Sequence, residues 1–295
     1  MTKNHDYSEF PDIHKYAQLE NLRPEILVKA FRLEAHYHDL LLREQDFEQR
    51  ARLYDDFYSE LIPLYGRTAG PAEEDRSKDK YVKLFRKELE GKRIADFGCG
   101  QGHMLLAINR LLETKGLTGI DVVFPEELKK HKEIDFVEAN LMTHQLKEPI
   151  DVAFSDNVLE HLVPEDAAIH LKNIYDNLNP GGKLIIIMPN RLFGPWDVTR
   201  IKDFSQSGKL AAEGGHVNES THYEMVAQLK AVGFQQFSTI MPIPKLKYWL
   251  FSKMRTGTGW IAAVERKPWL LKLIKAMRYK GVCLLSFPVT LVATK

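Results

Sequence analysis

The chain has 295 residues, 44% apolar and 27% charged, values that fit one large folded domain or two modest ones and exclude wholesale disorder. Its 41 Lys and Arg nearly cancel its 40 Asp and Glu, so no global field recruits DNA or RNA, and two cysteines are too few for a disulfide scaffold. Met1 to Phe10 resembles neither a signal peptide nor a transit peptide, and no uncharged apolar run reaches the ~18 residues of a spanning helix, so a soluble cytoplasmic protein is expected.

The first predicted elements are helical. From about Pro24 to Leu64, Ile26, Leu27, Ala30, Phe31 and Leu33 begin a pattern of three- and four-residue steps, with a second run from Phe47. Residues 67–80 read as a mobile connector, and Tyr81–Leu89 as a short helix. Short strands then alternate with helices: Arg93–Phe97, helix 102–114, Leu117–Asp121, Asp135–Glu138, Ile150–Ser155, helix 165–178 and Lys183–Met188. That alternation predicts a parallel sheet with helices on both faces. A helix over 222–232, a strand over 234–242 and an apolar strand over 282–294 close the chain. Charge is unevenly spread. Residues 1–90 carry 15 basic and 19 acidic side chains, whereas residues 245–280 carry ten basic side chains against Glu265 alone, with three of the four tryptophans.

The strongest local signal is Arg93-Ile-Ala-Asp-Phe-Gly-Cys-Gly-Gln-Gly102, a strand running through three alternate glycines into a helix. Gly98, Gly100 and Gly102 let a ligand lie against bare backbone at a helix N-terminus. The next strand ends in Asp121, placed to accept ribose hydroxyls. A dinucleotide fingerprint would put the third glycine one position later. Asp96, two residues before the first glycine, would repel a pyrophosphate and suits an ammonium, so an NAD(P) dehydrogenase is disfavoured.

From about Leu89 to Thr294 the chain resembles the class I S-adenosylmethionine-dependent methyltransferases, near the ubiquinone and small-molecule group. Asp96-Phe-Gly-Cys-Gly-Gln-Gly102, Asp121, Glu138-Ala-Asn140-Leu141, Ser155-Asp-Asn-Val-Leu-Glu-His161 and Leu178-Asn-Pro-Gly-Gly182 fall in that family's order. The resemblance implies an α/β fold with a doubly wound, mostly parallel seven-stranded sheet of order 3-2-1-4-5-7-6. Residues 1–90 would form a helical cap, and 91–295 the methyltransferase domain with a basic helical insertion at 245–280. It implies S-adenosyl-L-methionine as cofactor, with S-adenosyl-L-homocysteine as product. Asp96, Gly98, Cys99, Gly100, Gln101 and Gly102 would line the methionine end, Asp121 the ribose, and Asn140 and Leu141 the adenine, with Val122 and Asp156 as further cofactor contacts. The family more often has Asp where Asn140 stands, but the amide oxygen still accepts from an adenine amino group.

Methyl transfer to oxygen also needs a proton removed. Glu160, His161 and the distant His216 are the candidate catalytic residues. Related methyltransferases that bind a divalent metal here read Glu-x-x-Glu-His. Asn157 stands at the first Glu position, so no metal is assigned; a base role and a purely orienting role stay open. Arg191, Phe193 and Trp196, in the loop after the fifth strand, are candidate acceptor contacts. His103 and His170 read as structural. The expected acceptor is a small molecule, with an anionic one compatible with the basic insertion. The alternative is a donor-binding protein that acts as a partner or scaffold.

Two readings of the cap stay open: it brings Tyr65 or Tyr81 to the methionine end, or it is a dimerising or purely stabilising helix pair. In the insertion, Tyr248-Trp249-Leu-Phe251 and Pro268 to Met277 read as amphipathic helices. A solvated face, an anionic-acceptor lid and a peripheral membrane or acyl-chain contact remain the three readings of it.

Overall fold

A computed structural model describes residues 7–65, 75–240, 255–279 and 282–295. Helices α1 (Ile13–Glu20), α2 (Pro24–Arg43) and α3 (Phe47–Tyr65) open the chain, followed by the short α4 (Asp79–Leu84) and α5 (Arg86–Leu89). Pro24 sits in the first turn of α2, where its missing N–H costs nothing. The stripe Leu27, Ala30, Phe31, Tyr37 and Leu41 is buried. Helix α3 is bolted to the body through an ion pair. Arg50 donates twice to the buried Asp166, at 2.8 and 2.6 Å. Tyr54 donates to the same carboxylate at 3.1 Å and accepts from the Val163 amide at 3.0 Å.

The rest is an α/β body. In chain order it contains β1 (Arg93–Phe97), α6 (His103–Leu111), β2 (Gly116–Asp121), β3 (Ile134–Glu138), β4 (Ile150–Asp156), α7 (Pro164–Asn177) and β5 (Leu178–Met188). Next come α8 (His222–Val232), β6 (Gln235–Ile240), β7 (Arg255–Gly257), α9 (Gly259–Glu265), α10 (Pro268–Ala276), β8 (Arg278–Tyr279), β9 (Val282–Cys283) and β10 (Val289–Thr294). Alternate strand residues point to opposite cores. Ala95, Phe97, Ala153, Leu184, Ile186 and Leu291 meet α7 and α8, whereas Ile94, Val152, Phe154, Ile185 and Val292 meet α4 to α6. Helices α4 and α5 therefore pack within the body, on the same face as α6.

The sheet order is β3-β2-β1-β4-β5-β10-β6-β7, parallel through β5 and antiparallel beyond it. The expected seven strands and their order are present, but the sheet has eight strands. The eighth is β7, whose three residues pair with the outer edge of β6 from Ser238 to Ile240. The expected last strand over 282–294 is also shorter. Pro288 interrupts it, β9 pairs only with β8, and β10 alone enters the sheet. The Leu178-Asn-Pro-Gly-Gly182 turn is absorbed into β5 as an irregularity: Ile150 pairs with Leu178 and Val152 with Lys183. The predicted helix around Tyr248 to Phe251 and most of the 67–80 connector lie outside the described residues, while the helix predicted from Pro268 is α10.

Candidate active site

The carboxyl ends of β1, β2 and β4 open into a cavity of about 360 Å³. Gly98, Gly100, Gln101, Asp121, Val122, Asn140, Leu141, Asn157, Val158 and His161 form its floor and far wall, and Ala51, Tyr54, Asp55, Tyr58 and Ile62 of α3 form its roof. Gly98 has φ +89°, and a Cβ there would stand 2.3 Å from Val158 Cγ2, so only glycine fits. Gly100, at φ +49°, has open space where a Cβ would be. Its amide donates to Asp121 Oδ2 at 2.7 Å, while Oδ1 accepts from the Val122 amide at 2.8 Å. The Val123 amide also bonds this carboxylate, which still has acceptor capacity left for a hydroxyl. Asn140 Oδ1 accepts from the Met142 amide at 2.8 Å, so it too has one lone pair left for an adenine amino group.

Asp96 lies beneath this floor. It is buried, and its Oδ1 has no hydrogen-bond partner. Burial, reinforced by Asp156 and only partly offset by Lys78, pushes its carboxyl up to about 8. Lys78 was not anticipated: its ammonium reaches across from the segment before α4 to Asp156 Oδ2 at 2.5 Å. Cys99 is a free thiol buried behind the turn, and Gly102 caps α6 with φ +70°.

At the other end of the cavity the predicted catalytic trio comes together. Side-chain ligand atoms of Glu160, His161 and His216 all lie within 4.8 Å of one another, near enough to share one ion, and a His-His-carboxylate set suits zinc better than magnesium. The two histidines are not equivalent. His161 Nδ1 donates to the Gly215 carbonyl at 3.0 Å, which leaves Nε2 as an unprotonated acceptor. Burial, together with the neighbouring His216, lowers its pKa to about 3. For His216, burial opposes the charge. The Nδ1 hydrogen bond to Glu219 Oε1 at 2.7 Å, with Glu160 and Asp197 nearby, outweighs it and holds the ring at about 9. Glu160 is buried with Oε2 unpartnered, and burial raises its pKa to about 7. His161 is thus the neutral acceptor and His216 an imidazolium.

Helix α2 builds the loop that carries His216. Glu34 Oε2 accepts from the Gly215 amide at 2.7 Å, and His38 Nδ1 donates to the Gly214 carbonyl at 2.8 Å. Asp197 Oδ2 accepts from the amides of Gly214 and His216. None of these four contacts had a sequence signal.

Several expected side chains lie elsewhere. Tyr65 donates to Glu34 Oε1 at 2.5 Å behind the cavity, and Tyr81 packs beside the α4 to α6 core; Tyr54 and Tyr58 are the tyrosines on the cavity wall. Arg191 is turned outward onto Glu224 because that carboxylate also closes the capping box of α8 with Thr221. Phe193 is fully buried against Leu271, Cys283 and Phe287. Trp196 Nε1 donates to the Asn190 carbonyl at 2.9 Å, and the ring packs with that same cluster. None of these last three lines the cavity. His170, as expected, is structural, between Ser155 Oγ and the Leu141 carbonyl.

A family model described as a methyltransferase domain matches residues 72–238, more than half of the chain. A carboxy-S-adenosyl-L-methionine synthase of Chromohalobacter salexigens is 29% identical over 176 residues, 54% of this chain and 62% of that one, so the match spans less than two thirds of the synthase. A trans-aconitate 2-methyltransferase of Escherichia coli is 24% identical over 214 residues, 68% of this chain and 79% of its own. Among solved structures, a Burkholderia thailandensis 1,6-didemethyltoxoflavin-N1-methyltransferase with bound S-adenosylhomocysteine is 16% identical at a TM-score of 0.47, covering 84% of this chain and 89% of its own.

Proposed function

The chain belongs to the methyltransferase domain family, and on that premise we propose that it transfers the methyl group of S-adenosyl-L-methionine to oxygen or nitrogen of a small-molecule acceptor. The observation that carries this reading is the single cavity wall that runs from the glycine turn and Asp121 to His161. Asp96 pairs with the donor's ammonium, Asp121 with the ribose, and Asn140 and Leu141 border the adenine. Helix α3 roofs the donor and excludes water from it.

The donor is already activated, so positioning is most of the task. The acceptor's O–H or N–H donates to Nε2 of His161. As the methyl carbon bonds to the acceptor, the C–S pair returns to sulfur, and the acceptor proton leaves by way of His161. The sulfonium charge is lost, and the proton ends on Glu160, which at about 7 is a stronger base than His161 at about 3. Among the described residues, the charged side chains on the cavity wall are Asp55 and Asp121, with no Lys or Arg, which favours a neutral or amine acceptor over an anionic one.

Methyl-labelled donor offered with phenols, hydroxy acids and amines tests the reaction, with S-adenosylhomocysteine release as readout. Calorimetric binding of S-adenosylhomocysteine with no turnover of any acceptor would leave the scaffold alternative. Binding of NADH in its place would overturn the donor assignment.

A further inference from the structure

The basic insertion makes one surface that the methyl-transfer site does not use. Helix α10 buries Leu271 against Phe193, Cys283 and Phe287. Its other side presents Trp269, 66% exposed, and Leu273, 57% exposed, with Met277 following at the same four-residue step. Trp260 of α9 and Tyr223 of α8 are exposed as well, so five of the ten large apolar side chains that stand exposed among the described residues lie on or against this insertion.

The charges around these residues have one sign. Arg266, Lys267, Lys272 and Arg278 are exposed. The only acid between residues 255 and 279 is Glu265, which faces inward and is occupied by His222, Asn190 and the Tyr223 amide. The nearest exposed acid on the adjoining helix, Glu224, is paired with Arg191. Lys275 and Arg278 donate to the Ser207 and Ser205 carbonyls, which fastens the helix to the loop before α8.

We propose that this face docks on an anionic lipid surface. Trp and Leu on one side of a helix with Lys and Arg interleaved, and no exposed carboxylate, is the chemistry of an interfacial helix. Tryptophan settles at the headgroup level, and the long cationic side chains reach outward past it to lipid phosphates. A protein-binding face differs, because lysine is depleted from the core of such interfaces. Among the described residues no helix is long and apolar enough to cross a membrane, so the contact is peripheral. The surface stands independently of the acceptor chemistry.

The test uses the full chain with vesicles of phosphatidylcholine alone and of phosphatidylcholine mixed with phosphatidylglycerol, read by co-sedimentation and by tryptophan emission. Binding should require the anionic lipid and fall with salt. Lys267→Gln with Lys272→Gln should weaken it roughly 25-fold, about fivefold per cation. Trp269→Glu with Leu273→Glu should abolish it while leaving the melting temperature unchanged, since both side chains are exposed. Failure to bind anionic vesicles, or binding that neither double variant alters, would overturn the proposal. So would a dimer in sedimentation velocity that Trp269→Glu dissolves, because the face would then belong to a second copy of the chain.

Discussion

On the proposed pairing with the donor's ammonium, Asp96 would start as a neutral acid. Burial first, then the negative neighbours Asp156 and Asp121, hold its carboxyl at about 8, and Lys78 only partly compensates. To pair with the donor's ammonium it has to ionise, so below pH 8 binding carries the cost of releasing a proton. The sign follows from linkage: the free protein binds the proton and the complex does not, so affinity rises with pH. From pH 6 to pH 8 the association constant for S-adenosylhomocysteine should increase about 50-fold, with about 0.9 proton released per ligand at pH 7. Above about pH 8 only about a further twofold remains, because the carboxyl is then ionised in the free protein as well. Calorimetry in buffers of different ionisation enthalpy counts the released proton. Asp96→Asn should bind weakly with no slope, and 5′-methylthioadenosine, which lacks the amino-acid tail, should bind wild type with no slope. A flat profile for S-adenosylhomocysteine, or an equal slope in Asp96→Asn, would refute the pairing.

Three further outcomes are expected. His161→Ala should spare donor binding and slow turnover by ~10²–10⁴; dialysis against a chelator should leave the wild-type rate unchanged, whereas a loss restored by zinc would assign the Glu160, His161 and His216 trio to an ion. Tyr58→Ala removes an aromatic wall of the cavity and should weaken S-adenosylhomocysteine binding roughly three- to tenfold by calorimetry. Glu265→Ala strands His222 and three other buried donors, so thermal or urea unfolding should show a loss of about 3–5 kcal/mol. Because those partners hold the Glu265 carboxyl below the usual range, its stabilisation is present at neutral pH and fades as pH falls through that lowered value.

The α/β body was legible because its signals are local. The alternation of Ile94, Ala95 and Phe97, or of Leu184 to Ile187, encodes a strand buried on both faces, and the glycines mark the one turn where a side chain would collide with Val158. Strand β7 was not legible. Arg255-Thr-Gly257 has no apolar pattern and becomes a strand only because β6 offers an unpaired edge. Pro288 did carry a readable signal against a single strand over 282–294, and the apolar residues around it concealed that signal. The site divides the same way. His161 and Asp121 follow strands and could be placed by position. Glu34, His38 and Asp197 reach the loop of His216 from distant elements, and no local spacing encodes that, whereas Glu219 lies only three residues beyond His216. Tyr54 and Tyr58 did leave a trace, an i,i+4 aromatic pair with Asp55 between them, but the cap was read through its later tyrosines.

The near-zero formal charge conceals a separation that links the cleft to the outer face. Asp96, Glu34 and Glu160 are buried around the cavity and its supporting loop, and burial raises each toward neutrality, to about 8, 7 and 7. His216, held at about 9, is charged at pH 7. At neutral pH the free protein therefore holds more protons than the formal +1 implies. Those protons sit inside, where they relieve crowding among acids that would otherwise repel one another. The exposed cations Arg266, Lys267 and Lys272 sit outside, where the one acid of that stretch, Glu265, is spent on holding α9 to α8. The pairing proposed for Asp96 would release a proton from the interior on donor binding and leave the cations of the outer face as they were.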